Sequence, residues 1–374
     1  MIIGVPKEIK NNEYRVGMIP SSVQTLVQNG HQLLVETEAG MGIGFTDRDY
    51  QQAGAKIMTN AAEIFSQAEM IVKVKEPQAI ERAMLREEQI LFTYLHLAAD
   101  PSQTQELIQS KAVCIAYETV MDAHGGLPLL IPMSEVAGRM SIQVGAHFLE
   151  KPHGGQGVLL GGVTGVKPAK VVILGGGTVG RNAAQMAIGL GANVVIFVRS
   201  LDSIGRIKAQ FGDNIQAILS TPGSIKKQLL KADLLIGAVL IPGASAPKLV
   251  TKADIQIMKP GSVIVDVAID QGGCVETSRP TTHQEPTYVI DEVIHYCVTN
   301  MPGAVPRTSA FALNHATLPY ILALANNGYQ RALLDNGHFR QGLNVINGLV
   351  TCRKVSESLN LEYIDPLIAL QIRS

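Results

Sequence analysis

The chain has 374 residues, 46% of them hydrophobic and 17% charged, with a formal net charge of -1. That length suits two domains with a core each, and the composition excludes a disordered polymer. Beyond Lys226-Lys227, which reads as a solvated helix face, no basic run stands out, so a nucleic-acid surface is excluded as well.

In chain order, short apolar runs alternate with helical ones: Ile2–Val5, Ser21–Gln28, Gln32–Glu36, Ala61–Gln67, Met70–Lys75, Ile90–Leu95, Ser102–Ser110 and Val113–Tyr117. This alternation predicts a parallel α/β sheet over residues 1–128. Pro132-Met-Ser134 then opens a helix to about Leu149, with Ser134 as N-cap, long enough to bridge two domains. Gly154-Gly-Gln-Gly157 and Gly161-Gly162 read as a loop or hairpin, because no helix begins there to make a phosphate cradle.

Lys170-Val-Val-Ile-Leu-Gly-Gly-Gly-Thr-Val-Gly180 runs from a strand into Gly175-x-Gly177-x-x-Gly180 and then into the helical Arg181–Ile188. In this order the first glycine permits the turn, the second admits a pyrophosphate, and the third lets helix pack on strand. A dinucleotide is the implied ligand, and Asn193–Val198 ends about 20 residues later, where the ribose is read. That strand ends Phe197-Val198-Arg199-Ser200, without the carboxylate that favours NAD. Val198 would not repel a 2′-phosphate, and Arg199 with Ser200 could supply a cation and a hydroxyl to bind one, so NADP is expected to be accepted alongside NAD; alternatively Arg199 is a solvated loop residue and NAD binds through its pyrophosphate and nicotinamide. The alternation resumes with strands at Leu234–Val239, Val263–Val267 and Thr287–Ile290. After Arg307, Ser309–Asn326, interrupted at Pro319, and Gly342–Ser358 read as helices that return to the first domain. The expected fold class is therefore α/β with two domains: a Rossmann-type dinucleotide domain over 129–306, and a discontinuous α/β substrate domain over 1–128 and 307–374.

Ligands of open α/β sheets sit beyond the carboxyl ends of strands, which singles out polar residues there. Asp270 follows Val263–Ala268, a position that carries a carboxylate toward the nicotinamide, or alternatively starts an Asx-turn. His96 ends Leu91–Leu95, and an imidazole has the acid/base chemistry that a proton shuttle requires, although a structural histidine reads the same way. Lys75 and Arg15 follow earlier strands and suit a substrate carboxylate, Arg as a fork and Lys as a point charge, or else are surface charges. Together the set contains what oxidation of a small amino or hydroxy acid needs. Cys114, Cys274, Cys297 and Cys352 form no Cys-x-x-Cys pair, so neither zinc nor disulfides are expected. No apolar run reaches membrane-spanning length and the first residues lack a leader pattern, so a cytoplasmic protein is expected.

Ile3-Gly-Val-Pro-Lys-Glu8, Glu13-Tyr-Arg-Val-Gly17, Val72-Lys-Val-Lys-Glu-Pro77, Thr93-Tyr-Leu-His-Leu97, Pro132-Met-Ser-Glu-Val-Ala-Gly138, Asp266-Val-Ala-Ile-Asp-Gln-Gly-Gly-Cys274 and Asn300-Met-Pro-Gly-Ala-Val-Pro306 resemble L-alanine dehydrogenases nearly end to end. The resemblance implies reversible oxidative deamination of L-alanine to pyruvate and ammonium with a nicotinamide dinucleotide. It implies Arg15 and Lys75 on the substrate, His96 as acid/base, and Asp270 handling protons of water and ammonia. Met133, Ser134, Asn300 and Met301 would line the nicotinamide side. Thr178, Val179, Ser220, Val239, Leu240, Val267, Ala268, Ile269 and Asp270 would contact the rest of the cofactor, beside Gly175, Gly177, Gly180, Val198 and Arg199. The resemblance also implies a homohexamer. Members that bind magnesium use a Glu and a His where this chain has Ala323 and Asn327, so no metal is expected. Two rivals are a transhydrogenase-type NAD-binding component and a non-catalytic nucleotide-binding protein; the retained Arg15, Lys75, His96 and Asp270 argue against both.

Overall fold

The computed structural model describes residues 1–239 and 246–371. Strands β1 (Ile2–Val5), β2 (Gln32–Glu36), β3 (Lys56–Met58), β4 (Met70–Val72), β5 (Ile90–Thr93) and β6 (Val113–Ala116) lie in one sheet. Strands β7 (Lys170–Leu174), β8 (Asn193–Val198), β9 (Ile215–Leu219), β10 (Leu234–Gly237), β11 (Val263–Asp266), β12 (Thr287–Ile290) and β13 (Val293–Tyr296) form a second. The chain then returns to the first sheet with β14 (Leu343–Ile346) and β15 (Leu349–Val350). Two compact units result, residues 1–133 with 305–374 and residues 134–304, against expected boundaries at 128/129 and 306/307.

Both sheets are wound in the same way. The first has the order β15-β14-β6-β5-β4-β1-β2-β3 and the second β12-β13-β11-β10-β7-β8-β9. All pairings among β1 to β6 and among β7 to β11 are parallel, as is β11 with β13. Each sheet therefore reverses its winding once, between β1 and β4 and between β7 and β10. Crevices for ligands open at such reversals, outside the carboxyl ends of the strands. Central strands of such parallel sheets are buried on both faces: β4 and β10, which flank the reversals, and β5, β6 and β11 beyond them are buried throughout.

Three local expectations are corrected. The helix spans Ile131–Phe148, so Ser134 lies inside its first turn rather than capping it. The turn bonds from the Leu130 and Ile131 amides to the Leu127 carbonyl start the coil earlier, and Pro132 fits there because first-turn amides have no intrahelical partner. The segment 342–358 is not one helix: β14 and β15 pair antiparallel, and only Arg353–Leu359 is helical. Asn347 (φ 51°) and Gly348 (φ 79°) supply the two left-handed residues of a tight hairpin. Finally, Pro306–Asp335 continues helically through Pro319 and departs from helical geometry at Gly328. A proline ring is compatible with helical φ and removes one hydrogen bond, whereas Gly328 at φ 72°, ψ 160° leaves the helical region altogether. The Gly161–Lys167 stretch closes as a hairpin through an antiparallel bridge between Val163 and Val166. Among the described residues, no helix is long and apolar enough to cross a membrane.

Candidate active site

In the first unit Arg15 follows β1 and Lys75 follows β4, the two strands that flank the winding reversal. Arg15 is only 2% exposed. Glu13 grips it side-on: Oε1 accepts from Nε at 2.6 Å and Oε2 from Nη2 at 2.5 Å, while Nη1 stands 3.0 Å from the Met133 sulfur. Burial works against the Arg15 charge, but the Glu13 carboxylate outweighs it and holds the guanidinium more firmly protonated than usual. A planar fork gripped in this way has its orientation fixed in advance. Lys75 is half-buried; its amide points to Glu8 Oε1 at 3.4 Å and its carbonyl accepts from the Thr93 hydroxyl at 2.9 Å.

His96 follows β5 in the left-handed region, φ 52° and ψ 39°, a conformation that non-glycine residues adopt mostly under constraint. The constraint is Glu118, just beyond β6. Its Oε1 accepts from the His96 amide at 2.6 Å and from the Leu95 amide at 3.2 Å, and lies 3.9 Å from His96 Nδ1. The imidazole stacks on Tyr94, centroids 5.9 Å apart and planes 6° apart, and remains 48% exposed. Tyr94 is fixed in turn by its hydroxyl, which donates to the Leu129 carbonyl at 2.5 Å, and by an edge contact with Tyr117. Burial pushes the Tyr94 phenol up, so it stays neutral. We expect Glu118→Ala to lower kcat roughly tenfold or more by freeing this backbone, since an ångström of misplacement has that cost. Parallel steady-state kinetics and melting curves would check this, and an unaltered kcat in a folded variant would count against it.

In the second unit the glycine turn has the sterics expected of its first and third glycines. Gly175 has φ 106°, and a Cβ there would lie 2.6 Å from the Ala238 carbonyl oxygen. A Cβ at Gly180 would lie 1.8 Å from the Gly175 oxygen, so helix Thr178–Gly189 can approach β7 only with glycine there. A Cβ at Gly177 would meet nothing within 4 Å, and the helix that it caps has no side-chain cap. The N-terminus of that helix therefore has no side-chain cap over its first amides, the kind of helix end that binds anions. Thr178 and Val179 form the first turn of that helix. Val198, 3% exposed at the end of β8, faces Gly176: a Cβ at Gly176 would be 2.5 Å from Val198 Cγ1. Arg199 is exposed, and the Ser200 hydroxyl caps helix Leu201–Phe211 by accepting from the Ser203 amide at 3.2 Å. Ser220 follows β9, its amide bonded to the Val198 carbonyl at 2.8 Å, and Val239 follows β10. Leu240 lies outside the described residues.

Val267, Ala268, Ile269 and Asp270 belong to a 3₁₀ turn after β11, with the Asp270 side chain exposed and Ala268 and Ile269 buried. Two residues that the sequence reading did not single out hold this turn. Asp266 accepts from the Ser278 hydroxyl at 2.7 Å and the Val275 amide at 3.2 Å; burial, against these bonds, pushes its carboxyl up. The Lys248 ammonium donates to the carbonyls of Gly272, Gly273 and Val275 at 2.5, 2.9 and 3.2 Å. Asn300 sits at φ 63° with its carbonyl 3.1 Å from His283 Nε2, followed by buried Met301. Met133 falls in the first unit; Ser134, Asp270, Asn300 and Met301 fall in the second. Ala323 and Asn327 stand on the long C-terminal helix with neutral side chains.

A glycine turn leading into an uncapped helix N-terminus in one unit, and a fixed guanidinium, a lysine and a stacked imidazole at the carboxyl edge of the other, are the equipment of a dehydrogenase for small carboxylates. The comparisons agree. Residues 4–137 match the N-terminal domain, and residues 141–353 the C-terminal domain, of the alanine dehydrogenase/PNT family. An alanine dehydrogenase from Halomonas elongata is 55% identical over 98% of each chain. A solved L-alanine dehydrogenase structure superposes with a TM-score of 0.93 at 52% identity, over 96% of this chain and 99% of the other. A transhydrogenase structure from Sinorhizobium meliloti superposes with a TM-score of 0.81 at 22% identity, over 94% of this chain and 98% of that one, which is likeness of fold alone. The chain belongs to the alanine dehydrogenase/PNT family.

Proposed function

We propose that this enzyme interconverts L-alanine and pyruvate by reversible oxidative deamination, with Arg15 and Lys75 binding the substrate and His96 and Asp270 moving its protons. The observation that carries this reading is the Glu13-clamped Arg15 at the winding reversal of a sheet whose next parallel strands present Lys75 and His96. The nicotinamide dinucleotide supplies a hydride acceptor for the substrate Cα and returns the hydride in the reverse direction. Arg15 takes the carboxylate as a two-pronged donor, and Lys75 polarises the oxygen that develops on C2. With His96 taking a proton from the substrate ammonium, loss of hydride from the resulting neutral amine would leave an iminium, to which water adds. Asp270 removes a proton from that water, and His96 moves the proton between nitrogen and oxygen as the carbinolamine collapses to pyruvate and ammonium. Met133, Ser134, Asn300 and Met301 are assigned to the nicotinamide side. The glycine turn, Val198, Arg199, Ser220, Val239, Leu240 and Val267–Asp270 are assigned to the remainder of the dinucleotide.

The first experiment is the initial rate of pyruvate amination by ammonium with NADH and NADPH in parallel, followed by loss of reduced-nicotinamide absorbance. Turnover with either supports the reaction, and turnover with neither overturns it. NAD is the expected cofactor and NADP an accepted one, since a buried valine stands where a carboxylate would repel a 2′-phosphate. Val198→Asp is therefore expected to shift the kcat/KM ratio toward NADH by roughly tenfold or more. An unchanged ratio would show that this position does not read the ribose. A homohexamer in the cytoplasm is also proposed. The exposed Leu159, Val163 and Val166 around the hairpin support self-association, and the described cysteines, all unpaired, suit a reducing compartment. Light scattering of the eluted enzyme measures the assembly.

A further inference from the structure

The end of helix Ile131–Phe148 carries a group of side chains with no part in the reaction above. His147, Glu150 and His153 follow one another at three-residue spacing, and their ligand atoms all lie within 4.8 Å of one another. His147 Nδ1 stands 3.9 Å and His153 Nε2 3.7 Å from the same oxygen, Glu150 Oε2, and the two imidazole centroids are 3.9 Å apart. We propose that these three side chains form a surface site for a borderline divalent cation of the zinc class, which ties the end of this helix to the turn after it.

Three features support the assignment. The donor set, two neutral imidazoles and a carboxylate, is the chemistry that Zn²⁺ and Co²⁺ select, whereas Mg²⁺ and Ca²⁺ prefer all-oxygen sites. Ligands about 2.0–2.2 Å from a tetrahedral metal are roughly 3.4 Å apart; the two His–Glu separations of 3.9 and 3.7 Å therefore need to close only slightly, while the imidazole nitrogens, within 4.8 Å of one another, are brought to ligand distance by turning the exposed rings. The backbone is already set: the amides of Glu150, His153 and Gly155 bond to the carbonyls of His147, Glu150 and Glu150 at 3.2, 3.1 and 3.1 Å, and Gly154 ends the turn at φ 86°. The His153 ring also packs against Phe148, which itself contacts Tyr296. Exposure of all three ligands leaves the fourth position to water. A cation here would cross-link residues 147 and 153, and thereby stabilise the native chain in proportion to its occupancy.

The test uses the full-length, untagged enzyme, stripped of metal by chelation and titrated with Co²⁺ near neutral pH. The expected result is one visible d–d spectrum saturating near one ion per chain, lost in His147→Ala/His153→Ala and displaced by Zn²⁺. Glu150→Gln should weaken binding about tenfold or more. Zn²⁺ should raise the melting temperature of the parent by a few degrees and leave the double variant unmoved. Alanine turnover without metal should be the same in parent and variants, which separates this site from the catalytic one. A Co²⁺ spectrum unchanged in the double variant would place the ion elsewhere and overturn the proposal, as would absence of binding at millimolar Co²⁺.

Discussion

His96→Ala and Asp270→Asn should each lower kcat for pyruvate amination by more than about a hundredfold while leaving dinucleotide affinity within severalfold. The size follows from what each group is asked to do. Removing a positioned acid or base removes typically two to four powers of ten, because a proton must then be exchanged with bulk water in the transition state. The selectivity follows from the folds. His96 is carried by β5 of the first sheet and Asp270 by a turn after β11, whereas the glycine turn follows β7. Neither substitution touches Gly175, Gly177 or Gly180. Asp270 is exposed and His96 half-exposed, so both variants should fold. Turnover within a fewfold of the parent would remove that residue from the proton path. A loss of turnover matched by equal loss of NADH binding would instead assign it to the cofactor.

The legible parts of this molecule were those in which one short stretch contains both the signal and its context. The glycine turn is such a case: strand, turn and helix are contiguous from Lys170 to Gly189, and the first and third glycines have steric reasons. Strand ends were legible too, so Arg15, Lys75 and His96 could be picked out as residues beyond apolar runs. Their supports were not. Glu118 reaches His96 across 22 residues and from the turn after the neighbouring strand β6, so nothing in the local pattern connects them. Glu13 lies two residues from Arg15 and was visible only as a neighbouring charge, because an ion pair at that spacing depends on the turn between them. At 342–358 two signals competed. Leu343, Ile346 and Val350 recur at helical spacing, yet Asn347-Gly348 is a strong hairpin turn, and the turn decides the structure. Strand β13 was hidden by His295, which is fully buried but satisfied by Thr277 Oγ1 at 2.7 Å and the Val293 carbonyl at 2.9 Å.

Lys73→Met should destabilise the enzyme by about 3–5 kcal/mol, more at mildly alkaline than at mildly acidic pH. Lys73 is wholly buried between two carboxylates, donating to Glu8 Oε2 at 3.1 Å and Glu81 Oε1 at 2.7 Å. Glu8 also accepts from the Val74 amide at 2.6 Å, Glu81 from the Gln78 amide at 2.7 Å, and Lys73's own carbonyl accepts from the Tyr117 hydroxyl at 3.0 Å. The cluster therefore holds the segment that carries Lys75. Burial raises the Glu8 carboxyl above its ordinary 4.5, with Lys73 opposing that shift, so loss of the cation raises it further. Between 4.5 and the raised value the native chain keeps a proton that the unfolded chain has released, so stability falls as pH rises through that interval. Lys73 itself is held above its ordinary 10.5 by Glu8 and Glu81 against burial. Its own contribution is therefore complete below 10.5 and lost only as pH climbs through the higher folded value. Melting curves of parent and variant at about pH 5.5 and pH 8 read the effect of the carboxylates left without Lys73, with an expected drop of roughly 10 °C at the higher pH and less at the lower. Equal melting temperatures, or a larger loss at the acidic pH, would show that the cluster does not act as a buried ion pair. Adding Glu81→Leu to Lys73→Met should recover part of the loss, because it leaves one buried carboxylate without its cation instead of two.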